Sequence, residues 1–262
     1  MSLVLGDDPA PGIRRLTFNL PEKRNPLTYD LKAALWEAVD AGLEDTAVRA
    51  LILTGAGPAF SAGGDLDAMK KRDPALMDVN LELNHKIVRR IAQAPKPVVT
   101  AVNGAAIGAG FAFALNADCV VAASGTRFGA PFLRLGLVPD GGLAYFLTRR
   151  IGHARARQAI LRAQTFTGAE ALAAGLADEL ADDDGLQDRA IQVAGEMGAL
   201  SHHAFRAARK MLAAHPCDLE TSLTAERYAQ LTCLQTPEHG EGVAAFLEKR
   251  PPDFVGAGKR GD

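Results

Sequence analysis

Residues 51–66 read LILTGAGPAFSAGGDL. The apolar run Leu51 to Leu53, with Thr54, ends in Gly55-Ala56-Gly57, the pattern of a short buried strand closed by a turn. A second glycine pair, Gly63-Gly64, follows Phe60-Ser61-Ala62 and is closed by Asp65 and Leu66. Glycines in such loops free the backbone for unusual dihedrals and let a ligand approach exposed amides. The arrangement recurs downstream, where Pro95-Lys96-Pro97 precedes an apolar run at 98–102 and then Asn103-Gly-Ala-Ala-Ile-Gly-Ala-Gly110. Brought together, the two loops can aim two N–H donors at one oxygen, an oxyanion hole. Tight turns and close helix packing explain the same glycines equally well, so residue content leaves both readings open.

Outward from these loops, the chain alternates strand and helix. Residues 13–20 read as a strand and residues 21–26 as an irregular loop. Thr28 or Asp30 caps a predicted helix through Leu31, Leu35, Val39 and Leu43, at helical spacing. Residues 49–54 form the buried strand, and 74–93 return to helical periodicity until Pro95 and Pro97 stop it. Residues 105–117 are small, glycine-rich and predicted helical, and 119–122 are a further strand. The α/β pattern of strand, strand and helix runs through 1–195. The segment 196–262 is helical, and its glycine-rich tail from 251 is expected to order only against a partner.

Composition narrows the functional classes. The 262 residues are 48% hydrophobic and 23% charged, with 29 Lys and Arg against 31 Asp and Glu, a net charge of −2. That profile fits a globular domain with a large core and lacks the basic excess of a nucleic-acid binder. The three cysteines, Cys119, Cys217 and Cys233, have no metal-ligand spacing and read as reduced thiols. The N-terminus is not patterned as a signal peptide, and the apolar stretch at 105–117 is too short to span a bilayer. A soluble, cytoplasmic protein is expected.

Several motifs fail. After Gly55 and Gly57, the third glycine of a dinucleotide fingerprint falls at Phe60, and 104–110 lacks the Gly-Lys-Ser/Thr ending of a P-loop. The six histidines form no i, i+4 ligand pair, so no metal site is expected, and His202 and His203 read as solvated. Ser61 is not in a Gly-x-Ser-x-Gly elbow.

The sequence resembles the enoyl-CoA hydratase/isomerase, or crotonase, superfamily. The resemblance is carried by Arg24-Asn-Pro-Leu, by 51–66, by Pro95-Lys-Pro-Val-Val-Thr-Ala-Val-Asn-Gly104 and by Gly108-Ala-Gly110. It continues through Ala117-Asp-Cys119, Leu135-Gly-Leu-Val-Pro-Asp-Gly-Gly142 and Phe246-Leu-Glu-Lys-Arg250, in family order over nearly the whole chain. It implies a spiral of ββα units, a C-terminal helical trimerisation region, and homotrimers or hexamers built as dimers of trimers. It also implies an acyl-CoA thioester substrate and no cofactor beyond its CoA moiety. By position, the oxyanion donors are the amides of Gly64 and Ala109, alanine standing where the family usually has glycine. CoA contacts are implied for Arg24, Ala62, Gly64, Asp65 and Leu66, with Lys249, Lys259 or Arg260 reaching from the tail. Asp65 and Asp118 are expected to be structural.

The same resemblance locates a departure. Hydratases of the family use two glutamates, and the corresponding positions here are Ala112 and Phe132. Neither carries a proton, so two-carboxylate hydration is excluded. Asp140 remains. The segment Ala130-Pro-Phe-Leu-Arg-Leu-Gly-Leu-Val-Pro-Asp140 looks most like single-acid isomerases of the phenylacetate-degradation type. One carboxylate can take a proton from Cα and return it at Cγ, with apolar neighbours such as Phe132 or Leu137 raising its pKa and a helix start near Gly141 lowering it. Asp140 also suits the N-cap of that helix. The expected activity is enoyl-CoA isomerisation with Asp140 as acid/base. The alternatives are a hydratase-like lyase, a nucleophilic aspartate, or a non-catalytic acyl-CoA-binding homologue. Met69, Met77, Phe132, Tyr145 and Phe146 are candidates for the acyl pocket, with Tyr145 and Phe146 expected in the core.

Overall fold

The computed structural model describes residues 2–71 and 73–259, the last by its backbone alone. The chain opens with the antiparallel pair β1 (Val4–Ala10) and β2 (Ile13–Phe18). A short β3 (Pro26–Leu27) leads into α1 (Tyr29–Glu44), whose N-cap Thr28 accepts a hydrogen bond from the Leu31 N–H. There follow β4 (Ala50–Gly55), β5 (Ala59–Ser61), β6 (Gly63–Gly64), α2 (Leu66–Met69) and α3 (Pro74–Ala92). The next turns are β7 (Val98–Val102), β8 (Ala105–Ile107) and α4 (Ala109–Leu115), then β9 (Cys119–Ala123), β10 (Arg127–Gly129) and α5 (Leu143–Leu161). After β11 (Thr165–Thr167), α6 (Gly168–Ala174), β12 (Glu179–Ala181) and α7 (Leu186–Gly198), the rest is helical. It comprises α8 (His202–Ala214), α9 (Leu219–Cys233), α10 (Pro237–Glu248) and α11 (Phe254–Lys259).

The units β4-β5, β7-β8 and β9-β10 each send their first strand to one sheet and their second to another. The large sheet has the order β1-β2-β4-β7-β9-β12, parallel except for the β1/β2 pair. The second has the order β11-β10-β8-β5, and β3 pairs with β6 on their own. The result is the ββα spiral expected from the resemblance.

Strand alternation feeds two cores. Leu51 and Leu53 of β4 face the helices α1, α3 and α4, whereas Ala50 and Ile52 face Val193 and Ala194 of α7. This explains why 50–53 is apolar throughout: a parallel strand covered on both faces has no polar side.

The structure departs from expectation in several places. Residues 105–117 are not one helix, because Ala105–Ile107 pairs with β10 and β5, and Gly108, at φ +58°, turns the chain before α4 begins. β1 is unanticipated, since its residues are mostly exposed and it sits at a sheet edge. Within the tail, Phe254–Lys259 form α11, packed on α10. His202 is half-buried, its Nε2 3.1 Å from the Arg49 carbonyl oxygen, and desolvation pushes its pKa down to about 4. No described helix is long and apolar enough to cross a membrane.

Candidate active site

The two glycine-rich loops meet. Gly63 has φ +89°, and a Cβ there would overlap the Ile107 carbonyl oxygen and lie 3.5 Å from the Ala109 nitrogen. Only glycine allows β6 to press against the start of α4 this closely. Ser61 fixes the first loop: its hydroxyl donates to the Asn25 carbonyl at 2.7 Å and accepts from the Gly63 N–H at 3.1 Å. Ala109 opens α4, so its N–H is among those a helix leaves without an internal acceptor.

Gly64, Asp65, Leu66, Ala109 and Asp140 all line one cleft of about 660 Å³. That is the size of a site for a small organic ligand. Its walls are mostly apolar, with Leu27, Met69, Met77, Leu81, Leu135 and Leu137. Asp65 caps α2, its carboxylate accepting from the N–H groups of Asp67 and Ala68. Asp118, also expected to be structural, accepts from the Val98 N–H and pairs with Arg209 at 2.9 Å.

Asp140 is not a side-chain cap. The N-cap of α5 is Gly142, in the left-handed region at φ +78°, and no side chain bonds to the first turn. The Leu143 N–H goes to the backbone carbonyl of Asp140 instead, at 3.0 Å. The carboxylate is left over, and its Oδ1 is buried without a hydrogen-bond partner. Burial raises its pKa above the usual carboxylate value, and the charges of Lys32 and His85 partly offset that.

Two further polar groups reach the cleft that sequence reasoning missed. Lys32, on α1, is 5% exposed, and its Nζ donates to the Asn80 carbonyl oxygen on α3 at 2.8 Å. Desolvation lowers its pKa to about 8, against the pull of the Asp140 carboxylate. Asn84, one turn beyond Asn80, is buried, and its Oδ1 has no hydrogen-bond partner. A signal for Lys32 was present: it stands i, i+3, i+7 with Leu35 and Val39, on the apolar face of α1.

The glutamate positions are filled by hydrocarbon. Ala112 is fully buried, and Phe132, 7% exposed, packs in the core near Gly108. Of the other pocket candidates, Met69 and Met77 line the cleft, while Tyr145 does not and is 53% exposed rather than in the core. Tyr145 stacks edge-on against Phe146, which alone of the two packs on the core. Arg24 and Ala62 are joined, the Arg24 carbonyl accepting from the Ala62 N–H at 2.8 Å, but neither lines the cleft. Lys249 caps α10, Lys259 ends α11 with its side chain outside the described atoms, and Arg260 lies outside the described residues.

A ββα spiral with two touching loops and a cleft between them is the crotonase fold. Residues 9–257 match the enoyl-CoA hydratase/isomerase family, and the chain belongs to that family. It is 36% identical over 251 residues to the 1,2-epoxyphenylacetyl-CoA isomerase of Escherichia coli (strain K12), covering 94% of this chain and 95% of the relative. It is 35% identical over 244 residues to the 2,3-dehydroadipyl-CoA hydratase of the same organism, covering 92% and 94%. Among solved structures, an enoyl-CoA hydratase from Bacillus anthracis superposes with a TM-score of 0.92 at 28% identity, covering 97% of this chain and 99% of the other. One from Polaromonas sp. JS666 gives 0.90 at 32% identity, covering 95% and 98%.

Proposed function

We propose that the protein is an enoyl-CoA isomerase in which Asp140 is the sole acid/base and the Gly64 and Ala109 amides hold the thioester oxygen. The observation that carries this reading is the Asp140 carboxylate itself. It lies in the same cleft as both loops, unpaired at Oδ1 and free of any capping duty. Its raised pKa suits a group that must take up a proton and return it.

The steps balance without water. Asp140 takes the Cα proton of a 3-enoyl thioester, and the C–H electron pair moves through Cα–C into the thioester carbonyl, giving a dienolate. The two amides stabilise the resulting oxyanion, where a single donor is typically worth about 10²–10³ in rate. Asp140 then returns the proton at Cγ as the electrons flow back, leaving the 2-enoyl thioester. Asp140 and two amides supply every proton and charge, so no cofactor beyond the substrate's CoA is called for. Arg24, Ala62, Gly64, Asp65, Leu66 and Lys259 are assigned to the CoA moiety, following the family's positions.

Support for the isomerase over the hydratase comes from Ala112 and Phe132, since neither can activate water. A hydratase-like reading draws on the 35% identity to a 2,3-dehydroadipyl-CoA hydratase. One assay separates them: 3-enoyl- and 2-enoyl-CoA in D₂O, read by absorbance and mass, with wild type beside Asp140→Asn. Solvent deuterium exchanged at Cα or delivered to Cγ, and conjugation without the mass gain of added water, both lost in the variant, are expected. Water addition that survives in Asp140→Asn overturns the isomerase, and binding without turnover makes the protein a non-catalytic acyl-CoA binder.

The helical region 196–262 is assigned to assembly as a homotrimer or a dimer of trimers. Phe246 and Leu247 are 83% and 75% exposed on α10, beside an apolar groove shared with α8 and α9, as fits a surface covered by another subunit. Three free thiols fit the reducing cytoplasm.

A further inference from the structure

We propose that Lys32 is a positioning residue for Asp140: tethered by the Asn80 carbonyl, its ammonium acts across the acyl cleft to keep the carboxylate in its charged, proton-accepting form. The inference rests on the reading of Asp140 as the base and adds a group that acts through it.

The geometry argues against a purely structural lysine. Lys32 sits among Leu31, Leu35 and Val39 on the face of α1 turned to the core, where an aliphatic residue would pack without penalty. A buried cation normally requires a carboxylate in contact, because desolvation is costly when uncompensated. Among the described residues, no carboxylate lies within 4.0 Å of its Nζ. One of three ammonium donors goes to the Asn80 oxygen, and the carboxylate that it feels electrostatically is Asp140, on the same cleft. Asn80 and Asn84 are successive turns of α3, so Lys32 is held beside the helix face that also carries Asn84, a cleft residue whose buried side-chain oxygen has no hydrogen-bond partner.

The charges acting on Asp140 are Lys32 from α1 and His85 from α3. Asp65, Lys70 and Asp73 line the cleft from the α2 side and its junction with α3. An acyl chain that displaces water from this cleft weakens the screening between Lys32 and Asp140, which strengthens their coupling when the proton must be taken. After transfer, Asp140 is neutral and the negative charge is on the thioester oxygen. Lys32 then faces an acid whose proton it disfavours, which helps send that proton on to Cγ.

The test is the pH dependence of kcat/KM on a 3-enoyl-CoA for wild type, Lys32→Met and Lys32→Arg, with Asp140→Asn beside them. In Lys32→Met the acid limb moves to higher pH by about one unit, a tenfold loss at fixed pH on that limb, while the plateau above it is nearly kept. Lys32→Arg keeps the wild-type limb. Superimposable profiles for wild type and Lys32→Met, or an equal loss at every pH, overturn the proposal. If Lys32→Met does not fold, Lys32→Gln, which retains a donor for Asn80, is read by the same criterion. Asp140→Asn separates the two levels. Full activity there removes the base and this inference with it, whereas an inactive Asp140→Asn with an unshifted Lys32→Met removes Lys32 alone.

Discussion

Ala112 and Gly141 are packed so closely that a Cβ built on Gly141 would lie 2.9 Å from the Ala112 Cβ. The position that the resemblance assigns to the first hydratase glutamate is thus closed by the turn that carries Asp140. Ala112→Glu is expected to lose about 1–3 kcal/mol of stability through overpacking and to gain no hydration of 2-enoyl-CoA. Thermal melting and a water-addition assay check both halves. A variant that melts like wild type would show that the turn yields.

Ala109 is the first residue of α4, a place where proline fits because the N–H has no helical acceptor. Ala109→Pro therefore deletes one proposed oxyanion donor at little cost to the fold. The expected result is a fall in kcat of about 10²–10³ with the melting temperature nearly unchanged. Unchanged kcat in the folded variant would take Ala109 out of the oxyanion site.

Lys32 and Asp140 impose opposite pH dependences on stability. The Lys32 pKa is depressed by burial to about 8 in the fold, from an ordinary lysine value of 10.5. Its unfolded form binds more protons between those values, so stability rises with pH across that window. Lys32→Met abolishes the rise, and its melting advantage over wild type is greatest below pH 8 and shrinks toward pH 10.5. Asp140 is raised instead, so its contribution is complete below the unfolded carboxylate pKa and is lost as pH climbs through the folded value. Asp140→Asn is expected to gain on wild type over that rise. Differential scanning fluorimetry across pH reads both.

Most of the frame was legible because its signals are local. The largely apolar strands at 50–54 and 98–102, the Thr28 cap and the two glycine loops each announce themselves within a few residues. β1 was not legible, because Leu5, Gly6 and Asp7 are exposed and acquire strand geometry only by pairing with β2. β8 hid in a glycine-rich run, since its three residues are fixed by neighbours from β5 and β10. Asp140 was found through its motif, but its release from capping depends on Gly142 taking a left-handed turn. Lys32 and Asn84 matter because α1 and α3 meet across the cleft, a relationship spread over more than fifty residues of sequence.

Asp118 and Arg209 form an ion pair whose side chains are each 15% exposed. Removing one partner of such a pair typically costs about 3–5 kcal/mol, because the other is left uncompensated. Arg209→Met should show a loss of that order in urea unfolding, and adding Asp118→Asn should recover a large part of it. A double variant no better than the single would show that Arg209 acts through its backbone contacts instead.

Those backbone contacts tie distant parts of the molecule. Arg209, on α8, donates to the carbonyls of Ile91 and Ala94 at 2.8 and 2.7 Å, gripping the end of α3. The other turns of that helix carry Met77, Asn80, Leu81 and Asn84 along the cleft. α3 is a single rod, with the cleft along one stretch and the helical appendage clamped to its end. Moving this rod to reshape the cleft would tilt the appendage with it. The shape of the cleft and the pose of the helical appendage therefore share one mechanical part, and a change in either constrains the other.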